Sequence, residues 1–212
     1  MIQAISYGGG VQSTALLVLA ARREIPQRLA LFANVGDDSE HPATLAYFRY
    51  VAIPYAERHG VELVELRKVR RTGERESLLQ RLMRDDSSVG IPVRMSNSGA
   101  PGNRNCTLDF KIRVIAKELK RRGATKDDPA EMALGISLDE YQRMRADSGI
   151  PHERLTYPLI DLRMSRQDCI NLIESEGIPV PPKSSCWFCP FHTTAHWRRM
   201  LKDEPELFEQ SV

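Results

Sequence analysis

No apolar stretch in this 212-residue chain approaches the roughly 20 residues that a helix needs to cross a bilayer, so no membrane partner is expected. Nor does Met1 lead into a basic segment and a cleavable apolar core. It leads into a short strand-like run, and the expected compartment is cytoplasmic. Charge of one sign is lacking too: 30 Lys and Arg stand against 28 Asp and Glu, so the chain as a whole is no polycation. Cysteine is scarce. Four thiols exclude the disulfide framework of a small secreted domain, and in a reducing compartment a C-x2-C pair points to a metal or redox site. What remains is an ordinary globular mixture, 42% hydrophobic and 27% charged, long enough for one large domain with its own core.

The order of hydrophobic patterns is informative. Residues 2–7 read as a buried strand and 13–23 as a helix with Leu16, Leu17 and Ala20 on one face. Residues 28–35 read as a second strand ended by Gly36, 43–59 as a helix stopped at Gly60, and 61–66 as a third strand. Such alternation calls for a parallel sheet covered by helices. Residues 85–105 form a long polar loop, of a length that usually carries function. A helix is expected over 108–121 and a fourth strand over 131–137. Ser165 can cap a further helix, with Asp168 at the capping-box position and Gly177 at its end; Cys169 inside it reads as core. A stiff Pro-rich link over 178–185 leads into CWFCPFHTTAHWRRM. The expected fold is α/β: a doubly wound, mostly parallel five-stranded sheet over residues 1–177. A small C-terminal metal-binding appendage, residues 178–212, folds back near the glycine loop.

That loop is SYGGGVQST. A strand turning sharply into a helix aims backbone N–H groups at one point, glycines let the chain curl around an anion, and the helix dipole favours negative charge. Gly8, Gly9 and Gly10 give close approach, and Ser6, Ser13 and Thr14 can add hydroxyl donors. The lysine of the common phosphate loop is absent. Asp37, Asp38 and Glu40 follow the second strand, where they read either as a Mg²⁺ or ribose site or as a solvated turn. Asp139, Glu140 and Arg143 follow the fourth, with a plain helix pair as the alternative. Two basic segments, 67–84 and 117–123, are either solvated helix faces or a surface for a polyanion.

Cys106, Cys186 and Cys189 form a one-plus-two pattern that suggests three thiolates on one metal site, and Pro190 after C-x2-C recurs in iron–sulfur runs. The same stretch also reads C-x2-C-x2-H-x3-H. Cys186, Cys189, His192 and His196 would then be a closed zinc site with Cys106 spare. A third reading leaves both histidines as polar residues of a terminal helix.

SYGGGVQST resembles the pyrophosphate loop of the N-type ATP pyrophosphatases, or adenine nucleotide alpha hydrolases. LFANVGDDSEHPAT, CTLDFKIRVI, LGISLDEYQRMR and YPLIDLRMSRQDCINLIESEGIPVPP are similar to successive segments of one branch, the phosphoadenosine phosphosulfate reductase-like proteins. The resemblance spans Ser6 to about His196. It implies ATP with Mg²⁺ as cofactor, pyrophosphate held by residues 8–14 with Gln12 and Ser13 among them, and an adenosine pocket bordered by Asn34, Gly36 and Gly135. It implies catalytic roles for Ser13, Asp37, Lys111 and Arg143, and a [4Fe-4S] cluster on Cys106, Cys186 and Cys189. The activity it implies is adenylation of an acceptor followed by sulfur transfer. The partners are ATP, a nucleic-acid acceptor (tRNA or DNA) and a sulfur-donor protein. Alternatives are a sulfonucleotide reductase, disfavoured because no cysteine follows Cys189, and a non-catalytic nucleotide-binding module stabilised by zinc. Val11 and Gln12 stand where the class commonly has Lys and Asp, with Lys111, Arg104 and Arg143 as candidate replacements for the missing cation.

Overall fold

The computed structural model describes residues 1–84, 90–93, 96, 99 and 102–211. Five strands form one sheet: β1 (Gln3–Ser6), β2 (Leu29–Asn34), β3 (Glu62–Arg67), β4 (Ala130–Leu134) and β5 (Glu153–Thr156). Their order is β3-β2-β1-β4-β5 and every neighbouring pair is parallel, so the sheet is wholly rather than mostly parallel. All six residues of β2 are buried, as a strand covered on both faces requires.

Alternate side chains divide between two cores, as a period of two demands. Ile5, Ala30 and Phe32 pack on one face with Leu16, Val18, Phe48 and Ile173. Ala4, Leu31 and Met132 pack on the other with Ile115 and Leu119. The first face takes α1 (Val11–Ala21), the helical run 42–58 and the helix Arg166–Ser175. The second takes the run 105–121. Cys169 is fully buried, and burial foremost pushes its thiol up to about 12, as befits an inert core residue. Ser165 and Asp168 make the expected capping box.

Two helical runs depart from expectation. The run 42–58 holds a π turn at Phe48–Ala52, and the run 105–121 holds another at Leu108–Ile112. The second run also begins three residues early, at Asn105. Much of the polar loop expected over 85–105 lies outside the described residues. Among the described residues no helix is long and apolar enough to cross a membrane.

The C-terminal segment lies back across the sheet's carboxyl end. Tyr47 donates its hydroxyl hydrogen to the Pro179 carbonyl (2.7 Å), Ser184 Oγ donates to the Gly8 carbonyl, and Cys186 forms an antiparallel bridge with Glu40. His41 Nε2 lies 3.1 Å from Glu204 Oε2.

Candidate functional site

Between β1 and β4 the chain order reverses. Parallel α/β sheets commonly bind ligands outside the carboxyl ends of the strands at such a reversal. The glycine loop fills the β1 side. Gly9 takes φ of 74°, and α1 starts immediately after Gly10. The first-turn amides of Val11, Gln12 and Ser13 have no helical acceptor. On the β4 side, Gly135 abuts α1: a Cβ there would lie 2.9 Å from Ser13 N and 3.0 Å from the Gln12 carbonyl carbon.

The expected hydroxyl donors are partly spent within the turn. Ser13 Oγ donates to the Gly10 carbonyl (3.0 Å) and accepts from its N–H (3.2 Å), while Thr14 Oγ1 pairs with the buried Tyr7 hydroxyl (3.2 Å). Ser6 ends β1 half-buried. Gln12 is a tie rather than a free ligand. Its amide nitrogen reaches Glu140 Oε2 (3.1 Å) and Ser137 Oγ (3.4 Å), and its oxygen accepts from Arg166 (3.0 Å). Arg143 pairs with Glu140 (2.8 Å) and remains exposed. The alternative pairing of Arg143 with Asp139 does not form, since Asp139 accepts the Arg166 N–H instead.

After β2 the turn is built by Asn34, which is buried. Its oxygen accepts the Gly36 N–H (2.8 Å), and its amide reaches Asp37 (2.8 Å) and Glu65 (2.6 Å). Asp37 also accepts from Arg49 (2.8 Å) and Arg67 (2.6 Å). Burial alone would raise its pKa, but Asn34 and the two guanidiniums hold it below the usual carboxylate range. The carboxylate is thus neutralised, and a cavity of about 250 Å³ opens beside it and Gly36. Two guanidiniums leave Asp37 a weaker candidate for Mg²⁺ than for a ribose hydroxyl.

The thiols gather on the other side of the Ser184 contact. Cys106 and Cys186 pack against Val35, Leu78 and Phe110. Cys189 N–H donates to the Cys186 carbonyl (3.2 Å), which closes the C-x2-C turn. A π turn brings residues five apart toward one side, and Lys111 shares the electrostatic surroundings of both Cys106 and Cys186. Its ammonium lies 3.6 Å from Glu40 Oε2. Burial raises the Cys186 thiol strongly, with Glu40 adding to the shift and Lys111 opposing it. Two thiols near one cation in an apolar setting, with Cys189 close enough to Cys186 to bear on its charge, suit the chemistry of an iron–sulfur cluster. Among the described residues, however, no three His, Cys, Asp or Glu side chains are arranged to hold a metal ion. In the zinc set, His192 Nε2 faces the Cys186 carbonyl at 3.0 Å and its ring stacks on His196 at 3.8 Å. Arg104 lies over the Phe191 ring at 3.8 Å rather than at the glycine loop. Trp187 is buried and donates to the Asp38 carbonyl (2.8 Å), so it packs beneath the C-terminal segment.

His192 supplies a pH test. Burial foremost, then the charges of His196 and Lys183, push its pKa down to about 4. The unfolded chain, with an ordinary value near 6.5, therefore binds a proton that the folded chain refuses. Metal-free protein should lose stability as pH falls from about 6.5 to about 4, with a slope of up to about 1.4 kcal/mol per pH unit. His192→Gln should flatten that part of a denaturation-midpoint profile, and an unaltered slope would dismiss the assignment.

Some contributors had no sequence signal. Glu40 reads as one acid among several in a polar turn, yet it is fully buried. Arg49 from the π turn and Glu65 and Arg67 from β3 converge on Asp37 and Asn34, and Ser184 sits in a proline-rich link.

No family model matches the chain, and no curated protein matches it. Among solved structures, the chain is similar to the U34-tRNA thiolase NcsA from Methanococcus maripaludis, a structure with its [4Fe-4S] cluster. The identity is 15% and the TM-score 0.49, over 100% of this chain and 69% of the other.

Proposed function

We propose that this chain is an AMP-forming, ATP-dependent enzyme that adenylates a nucleic-acid acceptor and replaces the activated oxygen with sulfur. The observation that carries the reading is the contact between Ser184 and Gly8. It sets the glycine loop, at the β1–β4 reversal, two residues from a cysteine that shares its surroundings with Cys106 and Lys111.

In this reading the pyrophosphate end of ATP rests on the Gly8–Gly10 turn and the first amides of α1, with Mg²⁺ sharing its charge. The acceptor oxygen attacks the α-phosphorus, the bond to the bridging oxygen breaks, and pyrophosphate leaves onto donors already aimed at it. A donor at the sulfide oxidation level then displaces AMP, so no net redox change is needed. Gly36 and Asn34 shape the adenosine side, Asp37 faces the ribose, and Arg143 stands on the β4 side as an exposed cation. Cys106, Cys186 and Cys189 would hold a [4Fe-4S] cluster, which when bound supplies an open iron for sulfur.

The test is product analysis with α-labelled ATP and unmodified RNA or DNA. AMP and pyrophosphate are expected, and ADP is not. Gly135→Val should abolish nucleotide binding, because the added side chain meets the backbone of the first turn of α1. Absence of turnover with any acceptor, together with zinc and no iron after anaerobic purification, would leave the non-catalytic module standing.

A further inference from the structure

We propose that residues 67–84 form a docking surface for the phosphate backbone of a nucleic-acid strand, organised around one buried carboxylate. That this strand is the acceptor rests on the function proposed above; the surface itself does not.

Edge strand β3 continues into a hairpin. Val69 and Arg75 form an antiparallel bridge, Glu76 N–H donates to the Lys68 carbonyl (3.0 Å), and Arg70 N–H donates to the Glu74 carbonyl (2.8 Å). Glu76 ends the hairpin with its side chain only 4% exposed. Around its carboxylate stand Arg84 at 2.9 Å, Lys68 at 3.2 Å, Arg81 at 3.7 Å and Arg70 at 3.9 Å. Burial would raise the pKa of Glu76, but Lys68 and the arginines hold it low, so it stays ionised. A buried carboxylate needs a partner, but one or two cations would satisfy it. Lys68 is one, and hairpin residues 68–76 carry four Lys and Arg against two Glu. Arg71 and Arg75 add exposed charge on the same hairpin. The result is surplus positive charge held together by an internal anion, where the like charges would otherwise repel.

Its position gives the surplus a use. Arg67 and Arg75 line the cavity beside Asp37, while Arg81 lines a second cavity of about 240 Å³ with Cys106 and Arg113. The cluster therefore divides the two cavities at the sheet's carboxyl end. A backbone lying on it has a base within reach of either, provided that base is unpaired, because a base stacked in a duplex cannot enter a pocket. Phosphate contacts of this kind position a strand without reading its sequence.

The test is fluorescence anisotropy on the full chain across a salt titration, with labelled single-stranded RNA and DNA of the same sequence. The variant is Arg70→Ala/Arg71→Ala, at two exposed hairpin positions that line neither cavity. Losing two phosphate contacts should reduce the slope of log affinity against log salt by about 1.4. The loss should be equal across sequences, and the thermal midpoint should match wild type. The tighter of RNA and DNA names the strand. An unchanged slope overturns the proposal, as does absence of salt-dependent binding to either strand. Nucleotide binding retained with the slope unmoved rejects this surface alone. A reduced slope with no ATP turnover rejects the enzymatic reading alone.

Discussion

Lys111→Met is expected to lower folding stability by about 3–5 kcal/mol, because it strands a buried charge. Glu40 is fully buried, and among the described residues neither carboxylate oxygen has a hydrogen-bond partner. The nearest compensation is the Lys111 ammonium at 3.6 Å. The charge of Glu40 foremost raises the Lys111 pKa, against an opposing effect of burial, with Cys186 and Cys106 contributing. The pair joins the helix that carries Cys106 to the segment bridged to Cys186. Among the described residues, removing the cation leaves the anion without a charge partner, which is costlier than removing both. The double variant Glu40→Met/Lys111→Met should therefore recover most of the loss in urea denaturation. If the single variant costs under about 1 kcal/mol, Glu40 is satisfied elsewhere and the pairing argument fails.

Much of the frame was legible because it rests on short-range pattern. Gly36 and Gly60 punctuate real ends, and the apolar runs over 28–35 and 61–66 become β2 and β3 with shifts of a residue or so. β5 was not placed in sequence, since Glu153–Thr156 is four residues long, carries one apolar side chain and sits at the sheet's edge. The π turns are equally silent, because one inserted residue does not disturb an apolar stripe enough to show. In the site, the glycine loop announces itself through composition. Glu40 does not: nothing in GDDSEH distinguishes the acid that packs beneath Cys186 from those that face water. Its burial depends on residue 186 arriving from the far end of the chain, a contact no local pattern carries. The same holds for Gln12, whose amide is taken by Glu140 and Arg166 from two other elements.

Gly36→Ala is expected to be the most damaging single-atom change in the site, at about 3–5 kcal/mol. Gly36 has φ of 131°, a conformation that side chains rarely adopt, which by itself costs on the order of 1–3 kcal/mol. A Cβ there would also lie 2.4 Å from Ser77 Cβ and 2.5 Å from Asp38 Oδ1. Neither atom can retreat freely. Ser77 caps the helix Leu78–Leu82 and donates to Asp38 (2.7 Å), and Leu78 N–H donates to the Val35 carbonyl (2.7 Å). Relief would require moving that helix away from β2, which disturbs the Glu76 cluster on one side and the Asn34–Asp37 turn on the other. Gly60→Ala separates the two costs. Its φ is 67° with nothing within 4 Å of the added carbon, so only backbone strain applies, about 1 kcal/mol. Equal midpoints for the two variants would mean that the close approach of Ser77 is not what makes position 36 a glycine. A gap of 2 kcal/mol or more, roughly the cost of overpacking, would show that the turn after β2 is held rigid from the hairpin side.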